Sequence, residues 1–316
     1  MTEIEKLEAY DHPLLILGGG PAGLTAALYA RRAGLPATVW EGQPMPGGQM
    51  ATTPEIENVP GIARTDGFFL SETMAEQVKQ LGAVIELRRV TGLSLQPSAL
   101  RVQSDELSVT AEAIILAMGA RRRRLEIPGE DRLAGRGVSY CAVCDGHFFR
   151  GKPVAVVGGG NAALEDSLHL ANLGCSVTLL HRKNEFRAVP RLQERVNAEP
   201  RIAVMKPWLP LAIEGEASVT GLRIKHAATG AEGTLAVSAV FVCIGTVANT
   251  DRVRDWLTLD GEGRIIAGED TETDIPGVYA SGDIRQKPLY QIITAAADGA
   301  VAATRAAEFL AKGLGS

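Results

Sequence analysis

Leu14-Leu-Ile-Leu-Gly18-Gly-Gly20-Pro-Ala-Gly23-Leu-Thr-Ala-Ala-Leu28 is the stretch on which the fold turns. Its opening apolar run reads as a buried parallel strand, and the segment after Gly20 carries a helical pattern. Between them the glycines have separate purposes. Gly18 permits a tight turn, Gly20 removes a side chain so that backbone can approach a pyrophosphate, and Gly23 lets helix pack closely on strand. The helix start then offers free N–H groups to phosphate. Pro21 and Ala22 lie in the same turn and belong to the candidate site.

The pattern recurs at an offset of 140 residues, as Val154-Ala-Val-Val-Gly158-Gly-Gly160-Asn161-Ala162-Ala163-Leu-Glu-Asp-Ser-Leu168. Ala163 takes the place of the third glycine. Each copy runs on to a second apolar strand, Ala37–Trp40 in one and Ser176–Leu180 in the other. One glycine fingerprint is weak evidence, because a glycine-rich turn can simply be a turn. Two copies in strand–turn–helix context predict two dinucleotide sites.

The ends of the second strands separate the ligands. Glu41 closes the first copy, where a carboxylate accepts hydrogen bonds from adenosine ribose hydroxyls and repels a 2′-phosphate. At the matching point the second copy has His181, Arg182 and Lys183, with Arg187 one turn on. Cations there suit a 2′-phosphate; the plainer alternative is a solvated basic loop. The first site is therefore expected to hold FAD, and the second NADPH in preference to NADH.

Cys141-Ala-Val-Cys144-Asp145 lies just before the second fingerprint. Two cysteines so spaced can close a small disulfide ring that takes up and releases two electrons by thiol–disulfide exchange. Together with two dinucleotide sites this predicts an electron path from nicotinamide to flavin to disulfide to an outside partner. A zinc site built from Cys141, Cys144 and His147 is one ligand short, and no metal is expected. Cys175 and Cys243 stand alone in apolar stretches and read as small buried hydrophobes.

Two apolar strands lead into glycines, one at Ala117-Met118-Gly119-Ala120 and one at Cys243-Ile244-Gly245. They read as paired crossings between domains. The expected fold is α/β, with two Rossmann-like dinucleotide-binding domains (three-layer), the second inserted into the first. Residues 1–120 and 247–316 would form the FAD domain, and 121–246 the NADPH domain carrying the dithiol. Arg121–Arg124 beside the first crossing is either a solvated hinge or a docking patch for an acidic protein. Further on, Gly277–Asp283 reads as a strand ending in a glycine and a carboxylate, and Ile292–Leu310 as an alanine-rich helix.

A length of 316 residues suits two domains, at roughly 150 residues each. The net charge of −5 offers no reason to expect nucleic acid or an anionic membrane as partner. Met1–Lys6 lacks the apolar core of a signal peptide, and no apolar run approaches the ~20 residues of a membrane span. A cytoplasmic location is expected, where a CxxC is redox-active or metal-binding more often than structural.

These residues resemble the low-molecular-weight thioredoxin reductases, from about Leu14 to the C-terminal helix. The most specific element is Cys141-Ala-Val-Cys144-Asp145-Gly146 shortly before Gly158-Gly-Gly160-Asn161. The resemblance implies that Gly47-Gly48-Gln49 runs along the isoalloxazine ring, that Asn58 approaches it, and that Gly119, Gln291 and Ile292 belong to the FAD site. It implies that Gly282 and Asp283 bind the ribityl and phosphate region, and that Gly245 joins the NADPH site. It further implies Asp145 as acid/base, Cys144 as the cysteine nearer the flavin, Cys141 as the attacker of the partner, thioredoxin as that partner, and a homodimer. Nicotinamide and disulfide share one flavin face in this family, so the inserted domain is expected to rotate between two states. Tyr290 stands where the family commonly has Arg, Lys183 where it has Arg, and His147 where it has an aromatic residue. A reductase serving another thiol carrier or a peroxidase, one using NADH, and a non-enzymatic redox sensor stay open as alternatives.

Overall fold

The computed structural model describes residues 11–53, 56–95 and 100–314; Met1–Lys6 lies outside the described residues. The chain divides into two compact units, Met1–Arg121 with Val247–Ser316, and Arg122–Thr246. Each is an α/β body built on a parallel sheet, and the second interrupts the first in sequence.

In the first unit β1 (His12–Leu17), β2 (Thr38–Glu41), β3 (Val84–Leu87), β4 (Gly92–Leu95), β5 (Leu100–Gln103), β6 (Ser108–Leu116) and the late β17 (Val278–Ala280) share one sheet. The order is β3-β2-β1-β6-β5-β4, with β17 also on β6. Pairings among β1, β2, β3, β6 and β17 are parallel; β4 to β6 form an antiparallel meander. β1 is buried on both faces, as a continuous apolar run in a parallel sheet should be. Leu14 and Ile16 point into one core with helices α1 (Pro21–Arg32), α2 (Gly67–Gln80) and α6 (Ile292–Leu314). Leu15 and Leu17 point into another, closed by Val253, Leu257 and Ile265. The alternation follows from the two-residue period of a strand.

Helix α1 starts at Pro21, whose missing N–H costs nothing at a first helical position. Its inward face is Ala22, Leu24, Ala26, Ala27 and Ala30, set against Ala302, Ala303 and Ala306 of α6. Small residues let these helices approach closely. A Cβ on Gly23 would strike the Gly18 carbonyl, and one on Gly299 the Ala22 carbonyl, so both positions require glycine.

In the second unit β8 (Val138–Ser139), β9 (Pro153–Gly158), β10 (Ser176–Leu180), β11 (Ile202–Met205) and β15 (Ala239–Cys243) make an all-parallel sheet in the order β11-β10-β9-β15-β8. Val154 and Val156 of β9 face α4 (Asn161–Asn172) and α5 (Pro190–Ala198). Ala155 and Val157 face the antiparallel layer β12 (Trp208–Glu214), β13 (Gly221–His226) and β14 (Glu232–Leu235). The short helix α3 (Ala142–Asp145) continues into a 3-10 turn at Gly146–Phe149. β7 (Ala120–Arg122) and β16 (Thr246–Ala248) pair as a two-stranded ribbon where the chain passes between units.

Candidate functional site

In the first unit the fingerprint turn is held from both sides. Glu41, at the end of β2, accepts the Gly19 N–H at 2.7 Å through one carboxylate oxygen and the Gln43 N–H at 2.7 Å through the other. Gly47 N donates to the Gly19 carbonyl at 2.7 Å, which brings Gly47 and Gly48 beside Gly20. The turn needs glycine at Gly18, where φ is +107° and a Cβ would strike the Ala117 carbonyl. No side chain caps the start of α1, and its first turn holds no acid. The N-terminal amides are thus left to an external anion, the arrangement a bound pyrophosphate needs.

The remaining candidate residues of this unit come from distant sequence. Gln49 Nε2 donates to the Ala120 carbonyl at 2.8 Å, next to Gly119. Asn58 Nδ2 donates to Gln291 Oε1 at 2.8 Å, closing a gap of 233 residues. Ile292 packs with Met50, Ile56 and Leu70. Gly282 sits against the first turn of α1, where a Cβ would lie 2.8 Å from that of Ala22. Burial pushes the Asp283 carboxyl above its ordinary range, against the pull of Lys287 and Arg264. Tyr290 carries the Arg264 guanidinium 4.0 Å above its ring.

Sequence reasoning passed over the group that fixes the Gly282 segment. Asp298 of α6 accepts the Gly282 N–H at 3.0 Å, both arms of Arg285 at 2.9 and 3.0 Å, and Lys287 Nζ at 3.1 Å. Its only trace in sequence is a charge inside an alanine-rich helix, 13 residues from Arg285.

In the second unit α4 likewise begins at Gly160 with no side-chain cap and no acid in the first turn. Arg187 N donates to the Gly159 carbonyl at 2.8 Å, and Val189 N to Asn161 Oδ1 at 2.9 Å. These two bonds draw the basic loop onto the fingerprint. Arg182, Lys183 and Arg187 are exposed there. His181 differs from them: it is buried, its Nε2 lies 2.9 Å from the Glu185 carbonyl, and a Cβ on Gly159 would strike its ring. Burial, with Arg187, Arg182 and Lys206 adding to it, pulls the imidazole below its ordinary range. His181 is therefore a neutral wedge under the turn at neutral pH. Gly245, at φ +98°, accepts the Arg123 N–H at 2.9 Å.

Cys141 is disulfide-bonded; the Cys144 side chain lies outside the described residues. Asp145 closes the first turn of α3, its N–H bonded to the Cys141 carbonyl at 3.1 Å. Its carboxylate accepts from Ser139 Oγ at 2.6 Å. The segment rests on α4, where a side chain on Gly146 would begin 2.9 Å from Leu170 Cδ2. Cys175 is buried and donates to the Phe149 carbonyl at 3.0 Å. Cys243 Sγ donates to Asp166 Oδ2 of α4 at 2.9 Å. Burial raises both thiols and the Asp166 carboxyl. In the run Arg121–Arg124, Arg121 pairs with Asp251 at 3.0 Å and Arg124 pairs with Asp131, so two of the four charges are already matched.

Residues 12–300 match the family described as pyridine nucleotide-disulphide oxidoreductase. The chain is 41% identical over 303 residues to the thioredoxin reductase of Mycolicibacterium smegmatis, covering 95% of this chain and 97% of that one. It is 42% identical over 308 residues to the bifunctional thioredoxin reductase/thioredoxin of Mycobacterium leprae, covering 96% of this chain and 67% of that one. The crystal structure of Lactococcus lactis thioredoxin reductase superposes with a TM-score of 0.85 at 39% identity, over 96% of this chain and all of that one.

Proposed function

The chain belongs to the pyridine nucleotide-disulphide oxidoreductase family, and within it we propose an NADPH-dependent flavoprotein thioredoxin reductase. One observation carries the reading: a disulfide at Cys141 and a hydrogen-bonded Asp145 share a unit with a complete, uncapped dinucleotide turn. Names among the relatives support the partner, since one of them joins reductase and thioredoxin in a single chain.

Bound FAD would supply the two-electron carrier that links nicotinamide to the dithiol. Gly18, Gly20 and the N–H groups of Ala22 and Gly23 would cradle its pyrophosphate, Glu41 would take the adenosine ribose, and Gly282 with Asp283 the ribityl end. Gln49, Asn58, Gly119 and Gln291 would line the ring. In the second unit Gly158–Ala163 and Gly245 would hold the NADPH backbone, and Arg182, Lys183 and Arg187 the 2′-phosphate.

Cys141 and Cys144 are the reacting pair. The Cys141 thiol gives its proton to Asp145 and attacks one sulfur of the partner's disulfide. The partner's S–S bond breaks, a mixed disulfide forms, and the departing partner sulfur takes up a proton. Cys144 then attacks Cys141, which restores the internal disulfide and releases thioredoxin as a dithiol. Because the dinucleotide turn and the dithiol belong to one unit, turnover requires that unit to move about β7 and β16. A homodimer in a reducing compartment completes the reading.

Anaerobic titration tests it. NADPH should bleach the yellow protein and oxidised thioredoxin should restore the colour. Cys141→Ser and Cys144→Ser should bleach yet fail to pass electrons on. Protein that cannot be loaded with FAD, or full thioredoxin turnover by Cys144→Ser, rejects the proposal.

A further inference from the structure

Ser139 ends β8, two residues before Cys141, and is 4% exposed. Its hydroxyl meets three groups of the dithiol segment. Oγ lies 2.6 Å from Asp145 Oδ2, 3.2 Å from the Cys141 carbonyl oxygen, and accepts the Cys141 N–H at 3.1 Å. A serine hydroxyl has one hydrogen and two lone pairs. One lone pair is taken by Cys141 N–H, so one hydrogen must serve two acceptors, and one lone pair is left to receive.

This sharing has two complete solutions. With Asp145 ionised, the hydroxyl hydrogen goes to the carboxylate, the closer and charged acceptor. With Asp145 protonated on Oδ2, the acid donates to the remaining lone pair of Oγ, and the hydroxyl hydrogen turns to the Cys141 carbonyl. Neither state leaves a buried donor or acceptor without a partner, which is the costly outcome inside a protein. Tyr140, between Ser139 and Cys141, gives its hydroxyl hydrogen to Glu130 Oε1 at 2.6 Å, with Arg124 beside the pair; His147 on the segment and His169 from α4 are the further titratable groups of the described residues that face it. His147 stacks on Phe148, and the His169 ring lies 3.8 Å from where a Gly146 side chain would begin. Neither takes the Ser139 hydroxyl.

We propose that Ser139 is a positioning residue of the dithiol, its hydroxyl turning between the Asp145 carboxylate and the Cys141 carbonyl as Asp145 loses and gains a proton. The proposal rests on the reading that Asp145 handles the thiol proton. It makes each protonation step at Asp145 also a change in the hydrogen bonding of the Cys141 backbone. The proton Asp145 receives comes from the Cys141 thiol and passes to a departing partner sulfur, so Asp145 is ionised again when the internal disulfide has re-formed.

The experiment uses the full-length, FAD-loaded protein with Ser139→Ala and Ser139→Thr. Alanine removes both the donor to Asp145 and the acceptor for Cys141 N–H; threonine keeps both. Losing one member of an acid–base relay predicts a fall of about tenfold or more in the rate at which reduced protein reduces oxidised thioredoxin. Iodoacetamide alkylation of Cys141 in the reduced protein, followed by peptide mass, should slow in parallel. Flavin reduction by NADPH should be unchanged, and threonine should restore both slowed rates to within about twofold of the parent. Ser139→Gly serves should the alanine protein fail to fold. Wild-type rates in the alanine or glycine protein, or equal slowing in alanine and threonine, overturn the proposal. Asp145→Asn separates the two readings. If it slows both rates while Ser139→Ala does not, only the serine role falls; if it changes neither rate, the acid assignment of Asp145 falls and the serine role with it.

Discussion

Asp298→Ala should unfold the first unit early. The carboxylate takes both arms of Arg285, Lys287 Nζ and the Gly282 N–H. Side-chain exposure is 9% for Asp298, 11% for Arg285 and 4% for Lys287. Alanine leaves two cations where water hardly reaches. Removing one partner of a buried pair costs about 3–5 kcal/mol, and the orphaned Gly282 N–H adds roughly 1 kcal/mol. Two features offset part of this: Arg285 Nη1 still reaches the Ala267 and Gly268 carbonyls, and Lys287 still has Asp283 at 3.8 Å. A net loss of about 4 kcal/mol is expected, hence a fall of roughly 8–16 °C in the unfolding midpoint of a unit this size. The assay is thermal unfolding of the apoprotein in a Trp208→Phe background, so that Trp40 and Trp256 report on the first unit alone. Asp298→Asn keeps an acceptor for Gly282 and should fall between parent and alanine. Flavin affinity should weaken in the same order, because Gly282 loses its anchor. A midpoint within about 2 °C of the parent refutes the reasoning, since it means the two cations carry their burial without the carboxylate.

Other consequences are open to direct measurement. Arg182→Ala and Arg187→Ala should each raise KM for NADPH about tenfold and leave KM for NADH within twofold, as loss of a charge-assisted bond to phosphate requires; equal effects on both nucleotides would exclude a 2′-phosphate contact. Asp166 binds its proton more tightly in the folded chain than unfolded, burial being the main cause. Its favourable contribution is therefore present below the unfolded value of 3.8 and is lost as pH rises through the folded one. Asp166→Asn should gain stability over the parent as pH climbs from about 4 toward neutrality, in urea melts across that range; a difference that does not vary with pH contradicts this. Cys175 and Cys243, held protonated by burial, should resist iodoacetamide in the folded, reduced protein while Cys141 is labelled, and full labelling of Cys243 would show its pocket to be open.

Local pattern went a long way in this chain. The apolar runs before Gly18 and Gly158, the helices after them and the parallel sheets follow from periodicity and glycine spacing, because strand burial and turn sterics act over a few neighbouring residues. Glu41 and the basic loop were placed by the same spacing, and His181 marks where that logic stops. A sequence offset puts His181 at the strand end but does not say which way its ring points, and the ring points inward under Gly159.

What tertiary structure alone decided is which distant groups share hydrogens. Asn58 meets Gln291 across 233 residues, and Asp298 gathers Arg285, Lys287 and Gly282. Cys243 finds Asp166 across 77 residues. Spacing along a chain governs which turn or strand can form, for that depends on adjacent dihedrals. Satisfaction of buried polar atoms depends on which surfaces the packed sheets and helices bring within about 3 Å, and no residue carries that information in its neighbours.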